Sequence, residues 1–459
     1  MSNFAQKAQQ EIEDKRTAFL EKLLTKKGFG CTMLSKKTGV YFPKNIGSEV
    51  VIMEKTIKIG MFGAWRGNSY IRSIAHRDPD EIRLVAICDK QADKLARVED
   101  VDNVEFFPDF DSFLEYGLKT GMNAVFLANY FHQHAEYAIR AMEAGMDVVS
   151  ECTSAATLKG CVDLVRCVER TGRKYIIAEN YPFSTKNLEM KRIADSGALG
   201  TFLYAEGEYN HSGPIEMLQE LTPYKYHWRA WMPRTYYVTH AMGPLMYITN
   251  SMPKYVSARA AHSNLLEKIR DFRPNDDGIG RMFCEMDNGM IASFTGCTAM
   301  ASRSRYRICG DIASIEWNGY GDTQGKVRLF YEDYTKPESV VECENYLEPD
   351  LDYWGEKAKE AINAGHGGGD FWIVQNIVDC FAHGKPVFFD VYKGVAMSAT
   401  GILGWRSALN HGENFKIPDF SKEEERKLVE NDDLTPFPDD QGEGATLPPS
   451  LMYGHYGEQ

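Results

Sequence analysis

KTIKIGMFGAWRG at residues 55–67, RLVAICD at 83–89 and MNAVFLANYFHQHAEYAIRAMEAGMDVVSE at 122–151 decide the fold of this 459-residue chain. Short apolar runs alternate in them with helical patterns, which is typical of β-α-β units that build a parallel sheet. A glycine turn follows the first predicted strand, and Asp89 ends the second. This combination is typical of a dinucleotide site. We therefore predict an α/β protein that begins with a Rossmann domain, a doubly wound parallel sheet.

The glycine turn lacks the strict Gly-x-Gly-x-x-Gly spacing. Gly63 can make the tight turn, and Gly67 can let the helix pack closely on the strand. Trp65 stands near the point where a small residue usually lets a pyrophosphate approach. Arg66 can compensate by contacting phosphate directly. The turn alone is a weak indication of nucleotide binding.

Asp89 strengthens that indication because it lies at the end of the second predicted strand. A carboxylate there accepts hydrogen bonds from both ribose hydroxyls and repels a 2′-phosphate, which favours NAD over NADP. Lys90 follows directly and weakens that preference. The alternative is that Asp89 only caps the next helix.

Composition and charge restrict the possible partners. The chain has 52 basic and 65 acidic residues and a net charge of −13, which disfavours binding to nucleic acid or an anionic membrane surface. No apolar run approaches the roughly 20 residues that span a bilayer. The N-terminus has no apolar signal segment, and the ten cysteines include no CxxC pair. We predict a cytoplasmic protein with reduced thiols and with neither a nucleic-acid nor a membrane partner.

The chain divides into four predicted parts. Apolar residues at helical spacing predict an amphipathic helix near residues 3–25. Short β-branched and aromatic runs after residue 180 predict an open, largely antiparallel sheet, interrupted by helices near 186–196, 240–250 and 369–382. The last part begins with a charged run and is expected to be disordered or to lie on a neighbouring copy. The parts are an N-terminal helical extension (1–54), the Rossmann domain (55–180), a substrate-binding and oligomerisation domain (181–420) and a C-terminal tail (421–459).

Two further segments carry a family resemblance. ANYFHQHAE at residues 128–136 and VVSECTSAA at 148–156 resemble the Gfo/Idh/MocA family of NAD(P)-dependent sugar oxidoreductases. That family typically reads A-T-P-N-x-x-H at the first position and E-K-P at the second, so His134 matches the His and Glu151 the Glu. The resemblance covers about residues 55–415. It implies a Rossmann domain followed by an α/β domain whose open sheet often serves as an oligomer interface.

The chain departs from the family at one important position. Cys152 stands where most members carry the catalytic Lys of E-K-P. No cationic residue adjoins Cys152 in the sequence to lower the pKa of its thiol, so it is a poor candidate for a general base. Glycoside hydrolase family 109, whose members use tightly held NAD to cleave glycosides through a transient keto sugar, includes relatives that lack this Lys. THAMGP at 239–244 and GHGGGDF at 365–371 resemble segments of that group, and Tyr236 replaces an Asp found four residues before the His in ordinary members.

The resemblance and the chemistry of alcohol oxidation together select the site residues. His240 is the predicted base because an imidazole titrates near working pH. Tyr181 is predicted to donate a hydroxyl or relay a proton. Glu151, the third predicted catalytic residue, is expected to contact the nicotinamide or ribose or to fix the strand end. The predicted NAD-binding residues are Gly63, Trp65, Arg66, Gly67, Asp89, Asn129, His132, His134, Glu151 and Asn180. No metal site is predicted, because His132 and His134 have no third ligand nearby in the sequence.

Sugar binding is predicted for two segments. Aromatic faces beside hydrogen-bonding groups in YKYHWRAW at 224–231 suit a pyranose ring, and Lys225 is a candidate for the missing ammonium. Successive glycines in GHGGGDF let the backbone approach a ligand. The predicted substrate-binding residues are Lys225, His227, Trp228, Arg229, His366 and Asp370.

Three functions remain open from the sequence. The leading hypothesis is an NAD-dependent oxidoreductase that oxidises a ring hydroxyl of a sugar or glycoside at carbon 3. The alternative is a redox-neutral glycosidase that oxidises, eliminates, hydrates and reduces back. The third is a non-catalytic NAD sensor. A dimer or a higher even-numbered assembly is expected, because an antiparallel sheet with one uncovered face rarely stays bare.

Overall fold

The computed structural model describes residues 56–99, 101–296, 303–319 and 325–453. The predicted N-terminal extension and its helix near residues 3–25 therefore lie outside the described residues. None of the described helices combines the length and the apolar character that crossing a membrane requires.

The first sheet contains six parallel strands in the order β3-β2-β1-β4-β5-β6. This is the strand order of a Rossmann domain, with the reversal between β1 and β4. The central strands are apolar throughout because helices cover both faces of the sheet; Ile59 and Val125, for example, have no exposed surface. The strands are β1 (Ile57–Phe62), β2 (Ile82–Cys88), β3 (Glu105–Phe107), β4 (Ala124–Leu127), β5 (Asp147–Ser150) and β6 (Tyr175–Ile177).

Helices connect these strands and cover the sheet. An Asp109 side chain caps α3 and a Thr157 side chain caps α5, and glycines in the left-handed conformation end both helices at Gly121 and Gly172. The helices are α1 (Ala64–Ala75), α2 (Ala92–Leu95), α3 (Phe110–Thr120), α4 (His134–Glu143) and α5 (Leu158–Thr171).

The second sheet has nine strands in the order β14-β13-β12-β11-β7-β10-β9-β8-β15. Neighbouring strands are antiparallel except β7 and β10, which run parallel. The predicted fold class, a Rossmann domain followed by an α/β domain with a largely antiparallel sheet, is therefore confirmed. The strands are β7 (Phe202–Glu208), β8 (Pro253–His262), β9 (Asp277–Met286), β10 (Ile291–Thr295), β11 (Arg305–Gly310), β12 (Ala313–Asn318), β13 (Val327–Tyr331), β14 (Glu344–Leu347) and β15 (Phe415–Lys416).

Two almost wholly buried helices, α9 and α14, pack against one face of this sheet. They are apolar nearly all round, which is typical of helices inside a core. The helices predicted near 186–196, 240–250 and 369–382 are observed as α6, α9 and α13. The helices of this part are α6 (Thr185–Asp195), α7 (Ile215–Glu220), α8 (Trp228–Trp231), α9 (Thr239–Thr249), α10 (Asn264–Glu267), α11 (Leu351–Trp354), α12 (Glu356–Ala361), α13 (Gly369–Phe381), α14 (Val391–Leu409) and α15 (Glu423–Arg426).

The C-terminal tail packs on its own chain as far as residue 453. Arg426 pairs with Glu169 at 2.6 Å. The indole nitrogen of Trp405 donates to the Pro448 carbonyl at 2.9 Å, and Phe437 is buried. The expectation of a disordered or neighbour-bound tail is therefore corrected: buried aromatic contacts and ion pairs hold the segment to the chain that carries it. The four domain limits themselves stay predictions.

Candidate active site

A cleft opens at the carboxyl ends of the first sheet's strands, where open α/β sheets bind their ligands. Gly63 follows β1, Asp89 follows β2, Asn129 follows β4 and Glu151 follows β5, so sequence-distant residues meet at one edge. Residues that line the cleft include Gly63, Trp65, Arg66, Asp89, Asn129, His134, Glu151, Cys152, His227, Trp228, Arg229 and Tyr237.

The glycine turn and Asn129 fit a dinucleotide. Gly63 has a φ of 105°, and a Cβ there would lie 2.3 Å from the Ala128 carbonyl, so only glycine allows this close turn. A Cβ at Gly67 would lie 2.8 Å from the Met61 sulfur, which agrees with close packing of α1 on β1. Both polar atoms of the Asn129 amide are buried without a hydrogen-bond partner in the described part of the chain. Such atoms need a partner, and a nucleotide in the cleft would supply one.

Asp89 accepts hydrogen bonds at the start of α1, the helix before it in the chain, and from the residue before α2. Its carboxylate accepts from the backbone N–H of Ala64 at 2.8 Å and of Gln91 at 2.9 Å. A carboxylate has about four acceptor positions, so two remain for ribose hydroxyls. Burial raises the pKa of Asp89 from its ordinary value. Trp65 is half exposed beside it, and the Lys94 ammonium lies 4.1 Å from its ring centre.

Arg66 points into the protein and forms an ion pair. Its guanidinium lies 2.7 Å from Glu151 and 3.7 Å from Asp370, and it donates to the Tyr70 hydroxyl at 3.0 Å. Arg66 also lines the cleft, so its contact with a phosphate stays a prediction, and the two carboxylates would compete with that phosphate for the same charge. Arg66 is also the cation next to Glu151, beside the position of the family's missing Lys.

The two histidines after β4 have different surroundings. His134 is buried, with Nδ1 2.8 Å from the Thr153 carbonyl oxygen and Nε2 3.3 Å from that of Asn129, so it holds together the turns after β4 and β5. His132 stacks on Phe437 of the tail at 5.3 Å and does not line the cleft. Burial lowers the pKa of His132 to about 4, so this ring is neutral at working pH.

His240 belongs to a buried hydrogen-bonded cluster at the start of α9. Its Nδ1 lies 2.9 and 3.0 Å from the two carboxylate oxygens of Glu179, the second residue after β6. The Cys152 thiol donates to the same carboxylate at 3.1 Å. On its other side, His240 Nε2 lies 3.0 Å from the Tyr237 hydroxyl, and Tyr237 lines the cleft. One hydroxyl therefore separates the imidazole from the cleft.

Three tyrosines surround the His240 ring. Tyr181 stacks on it with ring centres 4.6 Å apart, while Tyr209 and Tyr237 present their edges at 4.7 and 4.9 Å. The sequence predicts Tyr181 but misses Glu179, Tyr209 and Tyr237. Glu179 carries a detectable signal, because it is an acidic residue at the end of a parallel strand, as Asp89 and Glu151 are. Tyr209 and Tyr237 carry no comparable signal.

Burial and neighbouring groups set the protonation of this cluster. Burial by itself would raise the pKa of Glu179, but the imidazole of His240 and the thiol of Cys152 hold it below its ordinary value. Burial, together with Glu179 and Glu151, raises the pKa of Cys152 well above that of a free thiol. Glu179 is therefore a carboxylate and Cys152 a protonated thiol, in agreement with the expectation that Cys152 is not a general base.

The GHGGGDF loop at residues 365–371 packs against the site through Asp370 and His366. Asp370 is buried, and its carboxylate accepts from the Asn180 amide at 2.7 Å and contacts His366 Nδ1 at 2.9 Å. Burial by itself would raise the pKa of Asp370, but His366, Arg66 and Asn180 lower it to about 2. The carboxylate is thus already engaged within the protein, whereas His366 is partly exposed.

The segment at 224–231 divides between cleft and surface. His227, Trp228 and Arg229 line the cleft, and Trp228 stacks on Phe131 with ring centres 5.2 Å apart. Burial lowers the pKa of His227 to about 3, so its ring is neutral. Lys225 is exposed and does not line the cleft. The structure thus gives no support to Lys225 as the missing ammonium.

One group of described residues brings three metal-ligand types close together. Single ligand atoms of Cys152, Glu179 and His240 lie within 4.8 Å of one another. The hydrogen bonds that join these side chains already satisfy the atoms involved.

Three models of known protein families match successive segments of the chain. Residues 57–179 match the model described as oxidoreductase family, NAD-binding Rossmann fold. Residues 187–316 match the GFO/IDH/MocA C-terminal domain, and residues 317–427 match the glycosyl hydrolase 109 C-terminal domain. Fold and site define an NAD-binding oxidoreductase. The chain belongs to the Gfo/Idh/MocA family.

Two curated relatives carry glycosidase names. The glycosyl hydrolase family 109 protein 1 of Shewanella sp. (strain ANA-3) is 23% identical over 411 residues, which cover 80% of this chain and 85% of the relative. The alpha-N-acetylgalactosaminidase of Shewanella oneidensis is 22% identical over 413 residues, which cover 80% and 86%.

Two solved structures share the fold. The WlbA dehydrogenase from Bordetella pertussis, in complex with NADH and UDP-GlcNAcA, superposes with a TM-score of 0.61 at 19% identity and covers 80% of this chain and 99% of its own. An inositol dehydrogenase homologue from Azotobacter vinelandii, complexed with NADH and myo-inositol, has a TM-score of 0.61 at 17% identity and covers 80% and 98%.

Proposed function

We propose that this protein oxidises a secondary ring hydroxyl, at carbon 3, of a sugar or glycoside with NAD as the hydride acceptor. The observation that carries the proposal is the contact of His240 with Tyr237, whose hydroxyl bridges the imidazole and the nucleotide cleft at 3.0 Å. Oxidation of an alcohol needs a proton acceptor within hydrogen-bond reach of the cleft. The bridged imidazole meets that requirement.

NAD, when bound, supplies the acceptor for the hydride that leaves the alcohol carbon. Gly63 and Gly67 would let its pyrophosphate and the first helix come close, and Asp89 and Asn129 would bind its polar groups. Glu151 lies at the end of β5, beside the expected position of the nicotinamide. Its contact with Arg66 fixes the orientation of its carboxylate.

The chain's own residues handle the proton. The alcohol donates its hydroxyl proton to Tyr237, and Tyr237 donates its own proton to His240 Nε2. Tyr237 therefore ends as a neutral hydroxyl, and His240 ends as an imidazolium. Tyr181, stacked on His240, would limit the ring's rotation and could donate its hydroxyl or relay a proton. The sugar ring would lie against Trp228, with His227, Arg229 and the exposed part of His366 as hydrogen-bonding partners. Asp370 would act by holding Asn180 and His366.

A second candidate function is a redox-neutral glycosidase. The match of residues 317–427 to the glycosyl hydrolase 109 C-terminal domain and the name of the Shewanella oneidensis relative favour it. Such an enzyme would perform the same oxidation at carbon 3 and then remove the acidified proton at carbon 2, expelling the aglycone. Addition of water and return of the hydride would complete a net hydrolysis.

One experiment separates the two functions. The protein is purified without added cofactor, its retained nucleotide is measured, and it is incubated with NAD and a panel of aryl and natural glycosides. A keto glycoside with stoichiometric NADH, or oxidation driven by a keto-sugar acceptor, supports the dehydrogenase. Free aglycone and intact sugar with no net NADH, and with cofactor retained, support the glycosidase. No sugar-dependent change with any substrate contradicts both and favours a non-catalytic NAD sensor.

We also propose a homo-oligomer in the cytoplasm, with its thiols reduced. All eight described cysteines are free. Phe283 and Ile291 are about half exposed on the outer face of the nine-stranded sheet. Burial of such side chains against a second copy would remove apolar surface from water.

A further inference from the structure

We propose that Glu179 is a positioning residue for His240. Its carboxylate holds the imidazole so that Nε2 faces Tyr237 and the cleft, and the Cys152 thiol holds the carboxylate in place. This inference rests on the proposed function, because it explains how His240, the proposed base, is held in the orientation that proton transfer needs.

The hydrogen-bond geometry selects one tautomer of His240. Both oxygens of Glu179 lie within 3.0 Å of Nδ1. A carboxylate can only accept hydrogen bonds, so Nδ1 must carry a proton. In the neutral ring Nε2 then carries no proton. It can accept a proton from the cleft side, where the Tyr237 hydroxyl lies. Without the Glu179 carboxylate, the Tyr237 hydroxyl can either donate to Nε2 or accept from it, so the contact at Nε2 alone does not select a tautomer.

The burial of Glu179 makes the contact strong. Glu179 has no exposed surface and His240 has 5%. A carboxylate without partners at such a site would be costly, whereas one with charge-assisted hydrogen bonds is held as an ion. The partners here are His240, Cys152 and the backbone N–H of Tyr181, which donates to the same carboxylate at 3.2 Å. When His240 takes up the substrate proton, the nearby negative charge stabilises the imidazolium that forms.

A glycine on α9 provides the space for this carboxylate. A Cβ at Gly243 would lie 2.6 Å from Glu179 Cγ. Gly243 is three residues after His240, so both lie on the same face of the helix. Any larger residue at this position would push the Glu179 side chain away from the imidazole. The glycine of the THAMGP segment therefore serves the same contact as its histidine.

Titratable groups from several elements lie near the pair. Cys152 and Glu151 come from the end of β5, Tyr181 from the turn after β6, Tyr209 from the end of β7, and Tyr237 from the turn before α9. Tyr306 of β11 donates its hydroxyl to the His240 backbone carbonyl at 2.5 Å. Compared with these neighbouring groups, Glu179 is the one whose hydrogen bond is to His240 Nδ1.

The test compares the unmodified protein with Glu179→Gln, using Glu189→Gln as the matched control. Glu189 is also fully buried and pairs with an arginine, Arg192, but it lies outside the site. Nitrogen-15 NMR of the histidine rings, with His240→Asn to assign the signal, reports the tautomer without any substrate. We expect the Nδ1–H form of His240 in the unmodified protein and in the control, and a mixture of tautomers in Glu179→Gln.

The kinetic arm uses the full chain with NAD and whichever glycoside the panel identifies. We expect kcat of Glu179→Gln to fall on the order of 100-fold with KM nearly unchanged. The acid limb of the kcat–pH profile should move to lower pH, because the imidazolium then lacks its counter-ion. Gly243→Ala should change the tautomer and kcat in the same directions.

An unchanged His240 tautomer in Glu179→Gln overturns the inference, as does an equal loss of activity in Glu189→Gln. Stoichiometric zinc on the purified protein, with His240 signals that change when the metal is removed, also overturns it, because the three side chains would then be metal ligands. A changed tautomer without turnover of any glycoside in either protein supports the positioning role and contradicts the proposed function.

Discussion

The chemistry proposed for this site depends on one imidazole and the groups on its two sides. His240 has Glu179 on its Nδ1 side and Tyr237 on its Nε2 side. The Tyr237 hydroxyl therefore offers a route for a proton from the cleft to the ring, while Glu179 holds the ring from the interior side. Cys152, which replaces the family's usual Lys, contacts the carboxylate of this set and stays protonated.

Replacement of His240 by Asn should abolish most turnover. We expect kcat to fall by about 10²–10⁴-fold, because the proton acceptor is lost. Cofactor affinity, measured by calorimetry, should change little, since His240 does not line the nucleotide cleft. Turnover equal to that of the unmodified protein would contradict the role of His240 and revive the non-catalytic sensor.

Asp370 should make stability depend on pH in the acid range. Its pKa is lowered from 3.8 to about 2 in the folded protein. A carboxyl group with a lowered folded pKa contributes stability that is fully present well above its unfolded pKa and is lost as the pH falls through the folded value. The lowered pKa of Asp370 contributes about 2 kcal/mol to the free energy of unfolding at pH 6 and roughly half of that at pH 3.

Urea unfolding of Asp370→Asn between pH 6 and pH 3 measures this contribution. The difference from the unmodified protein should shrink as the pH falls. Asp352→Asn, at an exposed carboxylate on α11, should show a small difference that varies little over this range. A difference in unfolding free energy between Asp370→Asn and the unmodified protein that stays constant with pH would contradict a lowered pKa for Asp370.

At the scale of secondary structure, the site is built from strand ends and helix starts. The ends of β1, β2, β4, β5 and β6 supply the nucleotide cleft and Glu179, and the start of α9 supplies His240. Only Gly63 separates β1 from α1, so a backbone change there moves side chains of the site directly.

The turn between β1 and α1 should be intolerant of any side chain. Gly63→Ala places a Cβ 2.3 Å from the Ala128 carbonyl at a φ of 105°, and we expect a loss of about 1–3 kcal/mol in unfolding free energy. Affinity for NAD should fall at least about tenfold, because the turn is the expected pyrophosphate site.

Gly172→Ala is the matched control for that change. Gly172 ends α5 with a φ of 64°, and no atom lies within 4 Å of a Cβ built there. It should cost on the order of 1 kcal/mol from backbone strain alone and leave NAD affinity unchanged. Equal effects of the two substitutions on NAD affinity would contradict the close approach at Gly63.

At the scale of the whole molecule, α9 and α14 cover one face of the nine-stranded sheet, and within the residues that the structure describes the other face is open. We expect a dimer or a higher even-numbered assembly in solution, since Phe283 and Ile291 expose apolar surface on the open face. Sedimentation velocity at micromolar concentration measures the state directly. Phe283→Glu with Ile291→Glu should shift the assembly toward monomers, and a monomeric unmodified protein would contradict the expectation.

The sequence determines the fold and much of the nucleotide cleft. Apolar strands alternating with helices, a glycine turn and acidic strand ends are local signals, and each follows from backbone geometry and burial over a few residues. For this reason the two-sheet fold, helices α6, α9 and α13, and the positions of Gly63, Asp89 and Glu151 at strand ends agree with prediction.

Only the tertiary structure decides which distant side chains meet. Glu179 and His240 are 61 residues apart, and Cys152 reaches Glu179 from another strand end, so no local spacing shows their contact. Arg66 pairs with carboxylates because folding brings Glu151 and Asp370 beside it. Lys225 stays at the surface, and the tail packs on its own chain. Such pairings depend on the packing of whole elements, which a linear pattern does not encode.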